Sequence, residues 1–166
     1  MTEEILKLKN IEDDYERAYQ LVSITFKDIT DKGGKPYIGH LTRVSDKLKK
    51  KDTKVAGLLH DILEDIEYIS EDTLKELNFN DKIIKMIKIV TRKKVGSYHQ
   101  FITDIIETNN IEAIKLKYSD MKDNADPERL SRLNPVQKAK LIAKYDIELP
   151  RLENAIKELE RRDRKW

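Results

Sequence analysis

Apolar residues recur at helical spacing along most of this chain, and this periodicity constrains the fold more than any other feature. A typical apolar stripe consists of Ile38, Leu41, Val44 and Leu48. No run alternates apolar and polar residues with the period of a strand, and the five glycines and four prolines leave little material for hairpin turns. The sequence therefore predicts an all-α fold, a compact single-domain bundle of about seven to nine helices.

Capping residues divide the periodic pattern into separate helices. The first predicted helix starts with Asn10 as its cap, and the helix that carries the main acidic cluster starts at Asp52 or Thr53. A short helix should start at Ser70. The other predicted helices cover 38–49, 53–66, 80–91, 97–107, 111–124 and 134–161, and three of them start at the capping residues Asn80, Ser97 and Asn134. Pro150 lies inside the last of these and predicts a kink or a break.

Composition excludes several classes of protein. The chain has 166 residues, a length that fits one domain over 1–166. Its 33 Lys and Arg residues are nearly balanced by 31 Asp and Glu residues, which argues against a nucleic-acid polymer as partner. Because cysteine is absent, disulfides, cysteine zinc sites and thiol nucleophiles are excluded. No apolar stretch approaches the roughly 18 residues of a membrane span, and no secretory signal is present, so we expect a cytoplasmic protein.

The predicted helix over 53–66 carries an unusual polar stripe. His60 and Asp61 lie three or four residues before Glu64 and Asp65, so the four side chains occupy one face of an otherwise apolar helix. Neighbouring carboxylates repel each other, and their burial is unfavourable unless something compensates their charge. A divalent cation would do so, and an imidazole beside a carboxylate suits Mn, Fe, Zn or Ni. The alternative is that lysines or arginines neutralise the stripe as ordinary salt bridges.

Two further segments supply candidate ligands. His40 follows the glycine loop at 33–34, and Asp120 lies four residues before Asn124 on another predicted helix. The ordinary interpretation of each residue taken alone is a capping or surface role for His40 and a solvated helix position for Asp120. The sharper hypothesis is that three helices converge and enclose one ion between the side chains of His40, His60, Asp61 and Asp120.

These segments resemble a known family, the RelA/SpoT-type guanosine tetraphosphate hydrolases of the HD phosphohydrolase superfamily. The sequence GKPYIGH at 34–40 is similar to the family's Gly-x-Pro-Tyr-Ile-x-His, and LLHDILED at 58–65 to its Leu-Leu-His-Asp-x-x-Glu-Asp. KYSDMKDN at 117–124 is similar to Lys-x-x-Asp-x-x-x-Asn. The resemblance spans about 18–145, and the Glu-Asp pair after His-Asp is its specific part.

The resemblance implies an HD-type helical bundle and a stand-alone small alarmone hydrolase, similar in size to the metazoan SpoT homologue. Such an enzyme removes the 3′-diphosphate of guanosine tetraphosphate or pentaphosphate, and its products are GDP or GTP and pyrophosphate. Mn(II), or another divalent metal, would be bound by His40, His60, Asp61 and Asp120. Glu64 and Asp65 would be the catalytic acids, and crowding by carboxylates should raise the pKa of at least one of them. The nucleotide would contact Lys32, Asn124 and Tyr145.

Three residues depart from the family pattern. Asp31 stands where the family commonly has an arginine, Leu41 replaces a proline, and Met121 replaces an arginine. The first exchange puts an anion where the family has a cation close to the nucleotide, so the substrate could differ from the standard alarmone.

Other interpretations of the same residues stay open. Lys32 with Lys35, or Lys93 with Lys94, would cradle a polyphosphate, unless these are solvated loop charges. A 5′-nucleotidase or a 3′-phosphatase of the HD superfamily would share the metal ligands. A nucleotide-binding module without catalysis would keep the fold, and a purely structural bundle would leave the acidic stripe uncompensated.

Overall fold

The computed structural model describes residues 2–93 and 95–165, and within these ranges it contains helices and no strand, which confirms the all-α prediction. The helices are α1 (Glu3–Lys7), α2 (Asp14–Thr25), α3 (Ile38–Asp46), α4 (Lys51–Leu59), α5 (Ile62–Asp65), α6 (Glu71–Glu76), α7 (Asp81–Val90), α8 (Tyr98–Glu107), α9 (Ile111–Asn124), α10 (Pro127–Ser131) and α11 (Pro135–Asp163), with a 3₁₀ turn at Leu8–Asn10. None of the helices in the described part is long and apolar enough to cross a membrane.

The core has two parts that share α9. The larger part packs α2, α3, α4 and α7 together and includes fully buried Leu41, one of the departures from the family pattern. The smaller part joins α8, α9 and α11 and includes buried Met121, another departure. Leu116 of α9 belongs to the first part and Ile114 of the same helix to the second. Both sides of α9 are therefore anchored by apolar packing, which fixes the polar residues at its carboxyl end.

Most predicted caps are confirmed, and two are wrong. In each correct cap the side chain accepts a hydrogen bond from the backbone N–H three residues later. These caps are Ser70, Asn80, Ser97 and Asn134. Asn10 lies in the 3₁₀ turn, and Asp13 caps α2 instead. The predicted cap at Asp52 or Thr53 fails because both side chains bond elsewhere, and α4 begins at Lys51 without a side-chain cap.

The predicted helix over 53–66 is interrupted at the polar stripe. α4 ends at Leu59 and α5 begins at Ile62, so His60 and Asp61 lie in a turn between the two helices. The ring nitrogen Nδ1 of His60 lies 2.7 Å from the carbonyl oxygen of Gly57, so a side chain satisfies this carbonyl at the end of α4. The interruption allows His60 and Asp61, which are adjacent in sequence, to face the same point in the interior.

Of the kink or break predicted at Pro150, the break is wrong, because α11 runs from Pro135 to Asp163 as one helix. Proline removes one backbone donor from a helix interior, at a cost of about 3 kcal/mol. Glu148 and Leu152, two residues before and two after it, are both buried. Packing on either side of Pro150 therefore holds the helix together.

Candidate active site

Three predicted ligand residues meet where α3, α4 and α9 pack. His40 lies on α3, His60 follows α4, and Asp120 lies on α9; all three are buried, and each offers one ligand atom within 4.8 Å of the others. The Asp120 Oδ1 atom lies 3.2 Å from Nε2 of His40 and 3.5 Å from Nε2 of His60. The helical packing thus brings together side chains that are 20 or more positions apart in the chain.

The partners of the two histidines determine which ring nitrogens carry protons. Nδ1 of His40 lies 2.8 Å from a carboxylate oxygen of Asp123, and Nδ1 of His60 lies 2.7 Å from the carbonyl oxygen of Gly57. An ionised carboxylate and a carbonyl only accept, so we assign the proton to Nδ1 in both rings. Each Nε2 is then the ring nitrogen left to bind a cation, and both lie within 3.5 Å of Asp120 Oδ1.

These two Nε2 atoms are the strongest indication of a cation site. Both are buried, and neither has a hydrogen-bond partner among the described residues. A buried acceptor without a donor is costly, by about 1–3 kcal/mol. A histidine that ligates a metal through one nitrogen and donates its other N–H to a carboxylate or a carbonyl is the usual arrangement of metal sites. The residues present therefore fit a bound divalent ion.

Asp61 completes the group of four predicted ligand residues. Its Oδ2 atom lies 3.0 Å from Nε2 of His60 and 3.8 Å from Nε2 of His40. The same oxygen accepts a 2.6 Å hydrogen bond from the hydroxyl of Tyr37, whose ring stacks on Phe26. Burial and the Asp61 charge raise the pKa of Tyr37 far above its usual value, so the hydroxyl stays a donor. Tyr37 is part of a predicted motif, but its contact with Asp61 was not predicted.

The charges of the group attract a positive ion. Burial by itself lowers the pKa of His60, but the carboxylates of Asp61 and Asp120 outweigh burial and raise it well above the usual value. Burial by itself raises the pKa of Asp120. The ammonium of Lys117, 2.8 Å away, and the two histidines outweigh burial and lower this pKa well below the usual range. Asp120 is therefore ionised, and the potential at the two Nε2 atoms is negative.

Asp123 orients His40 and was not among the predicted site residues. It is buried and accepts hydrogen bonds from His40 Nδ1, from Arg43 and from Arg129. Burial raises the pKa of Asp123, but the bonds from His40 and Arg43 lower it far below its usual range. Arg129 Nη1 lies 2.9 Å from His40 Nδ1, yet it donates instead to Asp123 and to Asn124. The signal for Asp123 was present, since it follows Asp120 by three residues on one helix face.

The two predicted acids lie in different surroundings. Glu64 lines a cavity together with Asp61 and Asp120, and its carboxylate accepts the backbone N–H of Arg92 at 3.1 Å. Asp65 does not line this cavity. Asp65 as a whole residue is solvent-exposed, but the protein atoms around its carboxyl group partly exclude water. This desolvation is the largest cause, and the charges of Asp61 and Glu64 follow it, in raising the pKa of Asp65 to about 6. This is the direction expected for at least one of the two acids.

A cleft with two adjoining cavities opens beside the four ligand residues. The inner cavity, of about 210 Å³, is lined by Asp61, Glu64, Arg92 and Asp120 among others. The outer cavity, of about 250 Å³, has cationic and apolar walls that include Lys32, Arg129, Leu130, Leu133 and Leu141. The residues common to both cavities are Tyr37, Asn124, Lys144 and Tyr145. The predicted substrate residues therefore line the cleft, Lys32 in its outer cavity and Asn124 and Tyr145 in the shared wall.

Asp31, the principal departure from the family pattern, has a structural use. Its Oδ1 atom accepts the backbone N–H groups of Gly33 and Lys35 at 2.9 and 3.0 Å. Gly34, between them, has a φ of +80°, a conformation that favours glycine. The Oδ2 atom lies 3.5 Å from Nε of Arg129. Asp31 thus orders its own loop and holds an arginine from another helix beside the outer cavity.

The predicted lysine pairs are divided by the structure. Lys32 lines the outer cavity, whereas Lys35 forms an exposed ion pair with Glu128 at 3.0 Å. Lys93 lines a separate surface groove, and Lys94 lies outside the described residues. Only Lys32 of these four residues is placed by the described structure in the cleft.

Comparison with known proteins supports the same family. No family model matches the chain. A guanosine-3′,5′-bis(diphosphate) 3′-pyrophosphohydrolase of Aquifex aeolicus is 30% identical over an alignment of 149 residues, which covers 82% of this chain and 20% of the relative. A protein of the same name from Borreliella burgdorferi is 42% identical over 82 residues, covering 47% of this chain and 12% of the relative. A GTP pyrophosphokinase of Streptomyces coelicolor is 37% identical over 81 residues, covering 46% and 9%. The chain spans a fifth or less of the length of these relatives.

A solved structure has the same fold. It is a metazoan orthologue of SpoT described as hydrolysing ppGpp, with a TM-score of 0.57 and 19% sequence identity, and the match covers 90% of this chain and 95% of the other. The sequence likeness along most of the chain supports an HD-type RelA/SpoT hydrolase, and the solved structure shows the same fold.

Proposed function

We propose that this chain hydrolyses the 3′-diphosphate of guanosine tetraphosphate or pentaphosphate and releases pyrophosphate together with GDP or GTP. The observation that carries the proposal is the pair of buried Nε2 atoms of His40 and His60, without hydrogen-bond partners among the described residues, beside the carboxylate of Asp120. The names of the Aquifex and Borreliella relatives supply the substrate class.

His40, His60, Asp61 and Asp120 would hold one divalent ion. Two imidazole nitrogens and carboxylate oxygens suit a borderline metal, and Mn(II) is the metal we propose. A divalent ion held by few protein ligands acts as a Lewis acid and lowers the pKa of water. Asp123 would keep His40 in the ligating tautomer, and Tyr37 would hold the Asp61 carboxylate in place.

The reaction forms a bond between a water oxygen and the phosphorus attached to the ribose 3′ oxygen, and breaks the bond between that phosphorus and the ribose oxygen. Glu64 would accept the proton of the water, since it lines the inner cavity and its carboxylate is held by the Arg92 N–H. The ribose oxygen must gain a proton. Asp65 would be the second acid, because a carboxyl with a pKa of about 6 retains some protons near neutral pH.

The cleft would separate the two ends of the nucleotide. The 3′-diphosphate would lie in the inner cavity near Arg92 and Lys117, and the nucleoside would lie in the outer cavity, where leucines of α10 and α11 offer apolar surface. Lys32, Asn124 and Tyr145 would contact it there and at the shared wall. Residues 1–166 would act as one hydrolase domain.

The proposal is tested by removing metal with a chelator, reloading the protein, and measuring pyrophosphate and phosphate separately. Guanosine tetraphosphate should yield pyrophosphate when Mn(II) is restored, and Asp61→Ala should yield none. Phosphate as the product would favour a 5′-nucleotidase or a 3′-phosphatase, and binding without turnover would favour a nucleotide-binding module. Activity that persists in metal-free Asp61→Ala would overturn the metal site.

A further inference from the structure

Three cations surround the ring of Tyr98, which lines the inner cavity. The guanidinium carbon of Arg92 lies 5.4 Å from the ring centroid, the ammonium of Lys117 lies 5.9 Å away, and the ammonium of Lys144 lies 4.2 Å away. Lys117 is held by Asp120, as described above. The other two cations form no ion pair with a carboxylate of the described residues. An aromatic face attracts cations, but it leaves their N–H donors free for another ligand.

Lys144 occupies a special place among these cations because it lines both cavities. Its side chain is partly buried, and its ammonium also lies 5.1 Å from the ring of Tyr145. Burial and the neighbouring charges of Lys117 and Lys32 lower the pKa of Lys144. A lysine on a helix surface normally extends into water. Lys144 instead lines a cleft whose walls also carry Lys32, Arg92 and Lys117. Such an arrangement is favourable when an anion lies between the cations.

We propose that Lys144 is a phosphate-binding residue, and that its ammonium contacts the phosphate chain of the nucleotide at the junction of the inner and outer cavities. The inference rests on the proposed function for the identity of the nucleotide. It rests on the structure alone for the class of ligand, a polyphosphate anion. Lysine binds phosphate as a point charge with three donors, so it can follow a phosphate chain without fixing one geometry.

The test compares Lys144→Met with Lys140→Met. Methionine keeps an apolar stem and removes the charge; Lys140 lies one turn earlier on α11 and is exposed. We expect Lys144→Met to raise the KM for guanosine tetraphosphate by about 10- to 100-fold, the usual size of a lost bond between charged groups. The kcat should change by less than about threefold, since a binding contact is lost rather than a reacting group. Lys140→Met should behave as wild type, and Lys144→Arg should recover most of the affinity.

A second measurement separates this inference from the proposed function. Pyrophosphate binding is measured by calorimetry on the Mn(II)-loaded protein, without any turnover. Weaker pyrophosphate binding in Lys144→Met than in Lys140→Met supports the inference even if wild type hydrolyses no guanosine tetraphosphate. Values of KM and of pyrophosphate affinity within about twofold of wild type in Lys144→Met overturn it and leave the hydrolase proposal standing. If Lys144→Met is poorly folded by thermal denaturation, Lys144→Gln takes its place under the same criteria.

Discussion

The buried group of His40, His60, Asp61 and Asp120 and the cleft beside it handle charge in opposite ways. In the buried group each carboxylate has a fixed partner, with Lys117 on Asp120 and the Tyr37 hydroxyl on Asp61. In the cleft, Arg92 and Lys144 have no such carboxylate partner in the described part of the chain. The first region would hold a cation and the second would receive an anion. In the proposed function a phosphorylated substrate would join the two, and groups fixed before it binds need little reorganisation during the reaction.

The largest effect is expected where the buried group is broken. His60→Gln removes one of the two free Nε2 atoms, so it should lower kcat on the order of 10³-fold and abolish tight Mn(II) binding. Steady-state kinetics and calorimetric titration with Mn(II) measure both effects. His99→Gln is the matched control, because His99 is exposed and pairs with Glu148 away from the cleft. Unchanged Mn(II) affinity in His60→Gln would contradict the account.

A smaller effect is expected for Asp123, which contacts the predicted ligand His40 and is not itself a predicted ligand. Asp123→Ala leaves the four ligand residues in place and removes the acceptor that orients His40. We expect Mn(II) affinity to fall by about 10- to 100-fold, as for other outer partners of metal ligands. Asp46→Ala is the control, since Asp46 is an exposed carboxylate on the same helix as His40. Equal Mn(II) affinity in the two variants would show that Asp123 does not support the site.

The packing beneath the buried group should be sensitive to one methyl group. A Cβ atom at Gly57 would lie 2.9 Å from Leu48 Cδ1 and 3.0 Å from the Cα of Ser45, so Gly57→Ala forces α3 and α4 apart. Overpacking of this kind costs about 1–3 kcal/mol of unfolding free energy. Urea denaturation measures this loss. Gly39→Ala is the control, because a Cβ there meets only the flexible end of Arg43. An equally stable Gly57→Ala would mean that the two helices are not in firm contact.

The smallest effect concerns the carboxylate at the edge of the cleft. Burial raises the pKa of Asp31, but the N–H groups of Lys35 and Gly33, followed by Arg129, outweigh burial and lower it below the usual 3.8. A carboxyl group whose pKa is lower in the folded protein stabilises the fold at pH values above its unfolded-state pKa. This stability is lost as the pH falls through the folded-state pKa.

Asp31→Asn keeps an acceptor for the loop and removes the titration. Wild type should therefore lose more stability than Asp31→Asn between about pH 5 and pH 2.5, by less than about 1 kcal/mol. Urea denaturation at the two pH values measures the difference. The same loss in both proteins would exclude a stabilising role for the Asp31 charge.

Local patterns predicted much of the fold and several of the residues that the structure brings to the cleft. Helix caps such as Ser70 and Asn80 follow from a side chain and a backbone three residues away, so they are visible in sequence. His60 and Asp61 were predicted as ligands because imidazole and carboxylate crowd one short segment at 60–65. The interruption at His60 was missed because it depends on a ring nitrogen bonding the Gly57 carbonyl, which periodicity does not report.

The remaining features depend on contacts between distant segments. The Tyr37 hydroxyl bonds Asp61 across 24 positions, and Lys144 reaches Tyr98 from another helix. Asp31 was expected to alter nucleotide recognition, and only the folded loop shows that its carboxylate orders the backbone and pairs with Arg129. Such pairings are set by tertiary packing, which no local spacing encodes.

The central claim is that two imidazoles and two aspartates share a single cation. Crystals of the Mn(II)-loaded protein measured at the manganese absorption edge test it most directly. The account predicts one anomalous peak, in contact with Nε2 of both His40 and His60 and with carboxylate oxygens of Asp61 and Asp120. A manganese peak elsewhere would contradict it. So would the absence of a peak here, with the four side chains hydrogen-bonded only to other protein groups.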